Sequence, residues 1–437
     1  MKRSLKLVII GAGSPYTPEL FAGLIDRYST LPIRELMLVD LPEGMEKARV
    51  ILDFGIRMFR KAGIDVRMEL TENRRKALQN ADFVISQIRV GGIPARILDE
   101  TIGLNNGIIG QETTGAGGFM NAMRTIPVAL AIARDMEELC PNAWLVNFTN
   151  PAGIVTEAVR KHTKVSCIGL CNVPVNMLAD ASRMLGVDTK ELHCSFVGLN
   201  HLSYIVKATH AGRAVLPEIV EKIDGNETLM KNIPKVEGVG ALIRTIGIIP
   251  SPYLQYYYFE EAMLAKQQKE YRDAGVTRGA IVQKIDEALF DRYRDPALEQ
   301  NPPELAQRGG SLYSYAALNA IEALCSPQPI EMVLNYTNGL SVPGLLPDDV
   351  VETNCLVSSE GVSPVQTAGL PHAAQGLVQT VKHYERLTIE AAVSGHREMA
   401  VWALLNHPLI HGYQRAAALV DEMERAFPSY IHLHGAF

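Results

Sequence analysis

The chain opens with short apolar runs separated by stretches of helical period. Leu5 to Ile10 is an apolar run of strand length, broken by Gly11-Ala-Gly-Ser-Pro-Tyr-Thr17. Pro18 to Ile25 then has helical spacing. Glu35 to Asp40 reads as a second strand, and Ala48 to Ala62 as a helix with Ile51, Phe54, Met58 and Phe59 on one face. Further strands are expected over Ala81–Ile88, Ala143–Asn150 and Val165–Cys171, with helices over Phe119–Cys140 and from Ala152. Strands that alternate with helices in this way predict an α/β fold, a Rossmann-like parallel sheet wound on both faces.

After His201 the pattern changes. Tyr204 to Ala208 and Arg213 to Leu216 read as paired strands around the turn His210-Ala-Gly212. Four tyrosines crowd into Tyr253-Leu-Gln-Tyr-Tyr-Tyr258, behind Pro250 and Pro252. Helices are expected over Phe259–Ala274, after Thr277-Arg278-Gly279, and over Ser311–Leu324. Ile330 to Pro364 alternates strands with turns, and the chain from Gln375 is mostly helix. No repeat or low-complexity tract intervenes. The expected organisation is a Rossmann-like domain over residues 1–200 and a C-terminal α+β, largely helical lobe over 201–437.

Composition narrows the partners. The 437 residues are 47% hydrophobic and 21% charged, an ordinary globular balance. The net charge is −6, with no long basic run, which argues against a nucleic-acid or membrane-surface partner. The apolar run behind the basic start is too short for a signal peptide, and no segment approaches a membrane span. Six cysteines spread over so long a chain do not resemble a disulfide framework. A reducing cytoplasm is the expected setting.

Several polar residues stand where such a fold presents its ligand-binding edge. Gly11 and Gly13 follow the first strand, where a glycine turn lets backbone approach a pyrophosphate. The fingerprint is imperfect, since Tyr16 replaces the third glycine, and a tight turn without a ligand is the competing reading. Asp40 ends the second strand, where an acid reaches a ribose hydroxyl and repels a 2′-phosphate, so NAD+ is favoured over its phosphorylated form. Arg89 and Arg96 flank a glycine pair, as a loop that suits an anion or is simply solvated. Gly107 to Gly118 carries Gln111, Glu112, Thr113 and Thr114 among many glycines, consistent with backbone close to a ligand or a tight crossing. Cys171 ends one apolar run, and Asn200-His201 ends another, Phe196-Val-Gly-Leu199. Both side chains are transition-metal ligands, and both are expected at the same edge of one sheet. Taken singly, each is more readily a buried core residue.

These motifs occur in an order that resembles glycoside hydrolase family 4, the NAD- and divalent-metal-dependent glycosidases. The resemblance rests on Gly11-Ala-Gly-Ser14, Gly110-Gln-Glu-Thr-Thr-Gly115, Asn147-Phe-Thr-Asn-Pro151, Cys171-Asn-Val-Pro174 and Gly198-Leu-Asn-His201, and runs over most of the chain. Cys-Asn-Val-Pro is similar to the 6-phospho-β-glucosidase branch, whereas the α-specific branches carry an acid or a histidine after the cysteine. The resemblance implies a phosphorylated disaccharide or aryl glucoside as substrate. It also implies a redox elimination in which NAD+ takes hydride from C3, Mn2+ polarises the ketone, a tyrosine removes the C2 proton and the aglycone leaves C1. Residue by residue, it implies Cys171 and His201 as metal ligands, and Tyr253, with Tyr256 second, as the base. Asn172 would replace the general acid of the α branches and contact substrate. Asn150 would meet the sugar hydroxyls, Arg96 and Arg278 the 6-phosphate, and Arg89 the ring. Gly11, Gly13, Ser14 and Asp40 would hold the cofactor, Ser14 reaching the phosphate region. The other five cysteines are read as structural. A homodimer or homotetramer is implied. The alternatives are a 2-hydroxyacid or malate-type dehydrogenase and a non-catalytic NAD-binding regulator.

Overall fold

The structure, a computed structural model, describes residues 4–223, 233, 236–307, 313–367 and 369–435. The strands are β1 (Leu5–Ile10), β2 (Ile33–Val39), β3 (Arg67–Thr71), β4 (Phe83–Ser86), β5 (Trp144–Asn147), β6 (Ser166–Gly169), β7 (Leu192–Leu199), β8 (Leu202–His210), β9 (Arg213–Ala214), β10 (Ile249–Pro250), β11 (Ile330–Thr337), β12 (Val350–Ser358) and β13 (Gly361–Pro364). The first six form a parallel sheet in the order β3-β2-β1-β4-β5-β6. That is the doubly wound Rossmann order, with its switch point between β1 and β4.

The central strand shows why this sheet forms. Every residue of Leu5-Lys-Leu-Val-Ile-Ile10 is buried, as expected of a strand covered on both faces. Successive side chains point to opposite faces. Leu7 and Ile9 join Leu36 and Leu38 in one core, under the helices Thr17–Asp26 and Met45–Lys61. Val8 and Ile10 join Met37 and Val39 in the other, against the helix Gly115–Leu139. Close packing on the first face depends on Gly55, where a Cβ would lie 2.5 Å from the Phe21 ring.

Three strands from the C-terminal half extend the same sheet. β11 runs antiparallel beside β6, with Asn335 opposite Gly169, and β12 and β13 follow. The helices His372–Ser394, Arg397–Leu405 and Tyr413–Ala426 pack on the helix Gly115–Leu139 around a third core.

One expectation is corrected here. The run that ends in Asn200-His201 does not join the parallel sheet. It is β7, which turns back through Asn200 and His201 into β8, with Leu199 opposite Leu202. A two-residue connection permits only antiparallel pairing, because parallel neighbours need a long crossover. β7, β8, β9 and β10 form a separate small sheet. His201 therefore sits on a hairpin turn, with φ of 62°, and not at a strand end of the sheet that carries Cys171.

Candidate active site

The glycine turn after β1 is clamped from two sides. Gly11 has φ of 84°, and a Cβ there would meet the Gln87 carbonyl at 2.9 Å. The Gln87 side-chain amide donates to Thr17 Oγ1 at 2.6 Å, and the Thr17 hydroxyl donates to the Ala12 carbonyl at 2.9 Å. Asp40, just beyond β2, accepts from the Gly13 N–H at 2.6 Å and the Leu41 N–H at 2.8 Å. Burial holds its carboxyl above the usual carboxylate range, against the lowering effect of those two bonds. A Cβ at Gly13 would stand 2.9 Å from Asp40 Oδ2. The turn thus keeps bare backbone and an acid side by side, which fits a dinucleotide.

The arginines are organised by carboxylates. Arg89 and Arg96 both pair with Glu112, Arg96 Nη1 at 2.9 Å. Arg96 Nε also donates to Glu100 Oε1 at 2.9 Å. The second Glu100 oxygen accepts the Gly279 N–H at 2.7 Å, which ties in the helix Arg278–Arg294 and so places Arg278. The loop expected through Arg96 is shorter than the sequence suggested. Gly91, with φ of 81°, caps a helix from Gly92 to Asn105, and Arg96 is on its first turns. Beneath it, Arg124 makes a two-pronged pair with Asp99 at 2.8 and 2.7 Å, and both side chains are 1% exposed.

Cys171 follows β6 and is buried, its sulfur accepting the Val173 N–H at 3.5 Å. Burial first, and Glu352 second, push its thiol well above the usual range, while hydrogen bonds that include the Asn200 side chain pull it down. His201 is 8% exposed. Burial lowers its imidazole from 6.5 to about 4, partly offset by Glu112, so the ring is neutral at neutral pH. Its Nδ1 lies 3.1 Å from the Thr113 hydroxyl, which leaves Nε2 as the ring nitrogen for another partner. Tyr253 stacks on it, with ring centroids 3.8 Å apart and planes 7° apart. A thiol and a neutral imidazole are a soft and a borderline donor, which suits a transition metal. Among the described residues no group of three or more His, Cys, Asp and Glu side chains could hold a metal, so the pair would leave coordination positions for other ligands.

One cleft of about 880 Å³ brings the predicted residues together. Gly11, Gly13, Ser14, Asp40, Arg89, Arg96, Asn150, Cys171, Asn172, His201, Tyr253 and Arg278 all line it. Asn172 is the N-cap residue of the helix Val173–Leu185 but does not spend its side chain on capping. Tyr256 does not line the cleft. It is buried behind Tyr253, at 6.1 Å between ring centroids, and burial pushes its phenol up, away from what a base requires. Of the other cysteines, Cys140, Cys167, Cys194 and Cys355 are buried and Cys325 is exposed, and none of the five is in a disulfide. Sequence reasoning gave no role to Gln87, Asn200 or Glu352, because an amide after a strand or an acid within one carries no signal until its neighbours are known.

Two family models, described as the family 4 glycosyl hydrolase and its C-terminal domain, match residues 6–187 and 196–410. The chain belongs to glycoside hydrolase family 4. A 6-phospho-beta-glucosidase of Escherichia coli (strain K12) is 40% identical over 99% of this chain and 97% of its own length. A Bacillus subtilis (strain 168) protein described as "Probable 6-phospho-beta-glucosidase" is 42% identical over 99% of this chain and 98% of that relative. A solved structure of the 6-phospho-beta glucosidase from Thermotoga maritima, with manganese, NAD+ and glucose-6-phosphate, has a TM-score of 0.90 at 34% identity, over 98% of this chain and all of that one. Family membership favours the glycosidase reading over a 2-hydroxyacid dehydrogenase, which would leave Cys171 and His201 without a purpose. No helix of the described residues is long and apolar enough to cross a membrane.

Proposed function

We propose that this family 4 enzyme hydrolyses 6-phospho-β-glucosides, such as 6-phosphocellobiose or an aryl 6-phospho-β-glucoside, through oxidation, elimination, addition and reduction. The observation that carries the reading is the face-to-face stack of Tyr253 on His201 in the cleft that also holds Cys171 and the Gly13–Asp40 clamp. When bound, NAD+ supplies a hydride acceptor and donor for C3 of the sugar, and a divalent cation such as Mn2+ supplies a Lewis acid for the resulting ketone.

The chain's own residues do the rest. Gly11, Gly13 and Ser14 accommodate the pyrophosphate on bare backbone, and Asp40 accepts from the ribose. Cys171 and the neutral His201 hold the metal, the Thr113 hydroxyl fixing the ring's orientation from Nδ1. Tyr253 takes the C2 proton, since its ring faces the cleft whereas that of Tyr256 does not. Arg96 and Arg278 bind the 6-phosphate, with Arg89 nearer the ring, and Glu112 spaces the first and last of these. Asn150 and Asn172 contact sugar hydroxyls. Asn172 is neutral, so no protein acid stands there, and the C1–O bond breaks as C2 loses its proton, the aglycone oxygen taking a proton from water.

The test is hydrolysis of 4-nitrophenyl 6-phospho-β-glucoside with NAD+, Mn2+ and a thiol reductant, abolished by EDTA. Turnover in D2O should place deuterium at C2 of the product. Unlabelled product, or net NADH formation on a hydroxy acid, would refute the reading. A cytoplasmic homodimer or homotetramer completes the proposal, and light scattering of the purified protein checks the assembly.

A further inference from the structure

Glu352 is a buried acid, 0% exposed, on β12. Among the described residues no lysine or arginine pairs with it. Its carboxylate accepts from three neutral donors: Ser203 Oγ at 2.7 Å, Asn200 Nδ2 at 3.1 Å and Asn335 Nδ2 at 3.2 Å. A desolvated carboxylate without a cation is costly, and a well-packed apolar residue would avoid that cost. Its position suggests what it does. Asn335 lies on β11 opposite Gly169 of β6, two residues before Cys171. Asn200 and Ser203 flank His201 on the hairpin between β7 and β8. Glu352 therefore sits where the large sheet, which carries Cys171, meets the small one, which carries His201. The fit there is close, since a Cβ at Gly153 would come within 3.0 Å of Asn200 Cβ.

Asn200 immediately precedes His201, so the bond it donates to Glu352 fixes the hairpin turn that carries the imidazole. Ser203 holds the other Glu352 oxygen from the start of β8, while Asn335 shares Oε2 with Asn200. We propose that Glu352 is a positioning residue which, through Asn200, holds the His201 hairpin against β11, the strand beside the β6 end that leads to Cys171, and so sets one metal-binding geometry.

The inference rests on the reading of Cys171 and His201 as metal ligands, and calorimetric titration of the metal-free enzyme with MnCl2 separates the two. E352Q and N200A should each weaken Mn2+ binding about 10- to 100-fold, the usual cost of losing an outer-shell partner. NAD+ affinity, which depends on the distant Gly13 and Asp40, should stay within about twofold. The double variant E352Q/N200A should bind Mn2+ no more weakly than the worse single variant, because one acts through the other. Mn2+ affinity of E352Q within about twofold of wild type, or a full E352Q effect persisting in the N200A background, overturns the proposal. If E352Q loses NAD+ binding as well, N200A carries the test alone, and unaltered Mn2+ affinity in it overturns the proposal. Wild-type enzyme that binds no Mn2+ in this titration refutes the metal reading itself.

Discussion

Gly13→Ala isolates the contribution of the dinucleotide clamp. The φ of Gly13 is not in the left-handed region, so alanine meets no backbone strain there. The conflict is with side-chain and backbone oxygens, because the new Cβ would lie 2.9 Å from Asp40 Oδ2 and 3.2 Å from the Gly44 carbonyl. The carboxylate must move, and the 2.6 Å bond it accepts from the Gly13 N–H weakens or breaks. A hydrogen bond to a charged group contributes about 1.5–3 kcal/mol. At about 1.4 kcal/mol per factor of ten, NAD+ affinity should fall about 10- to 150-fold. Folding should survive, because Asp40 keeps the Leu41 N–H and the strand core is untouched. The assay is calorimetric titration with NAD+ beside a thermal melt. Gly376→Ala is the control: that exposed helical glycine has nothing within 4 Å of a Cβ, so the variant should gain about 1 kcal/mol of stability and bind NAD+ normally. NAD+ binding by Gly13→Ala within about twofold of wild type, with an unchanged melt, would refute the clamp.

Three further predictions concern other parts of the molecule. Tyr253→Phe should lower kcat by about 100-fold or more and abolish deuterium uptake at C2, with NAD+ affinity intact, whereas Tyr256→Phe should retain exchange; the reverse order would exchange their roles. Arg124→Met strands the Asp99 carboxylate at 1% exposure and should cost about 3–5 kcal/mol in urea unfolding, part of which the double variant with Asp99→Asn recovers. His407 is buried and its imidazole is lowered from 6.5 to about 3, so between those values the unfolded chain binds a proton that the folded chain does not. Its contribution is complete above pH 6.5 and lost as pH falls toward 3, at roughly 1.4 kcal/mol per pH unit, and His407→Leu should flatten that slope in a series of pH-dependent melts.

The N-terminal half was legible because its signals are local. A strand buried on both faces must be apolar throughout, as Leu5–Ile10 is, and a turn that meets a pyrophosphate needs glycines. The alternation of strand and helix then implies the parallel sheet, and with it the edge where Asp40, Asn150 and Cys171 emerge. The ordered motifs identified the family for the same reason, since each is a short run whose chemistry requires those residues together.

What the linear chain could not determine was partnership across distance. Phe196–Leu199 ends like any strand of the main sheet, and only the pairing of Leu199 with Leu202 shows that it turns back. Tyr253 and Tyr256 are equivalent tyrosines by composition, and packing alone stacks one on His201 in the cleft and keeps the other off its lining. Glu352 reads as one polar residue in a strand, and acquires a meaning only where β12 brings it to Asn200 and Asn335. Hydrophobic period and turn chemistry are written residue by residue, whereas the meeting of Cys171 and His201 from two sheets is set by how those sheets pack, which no local run encodes.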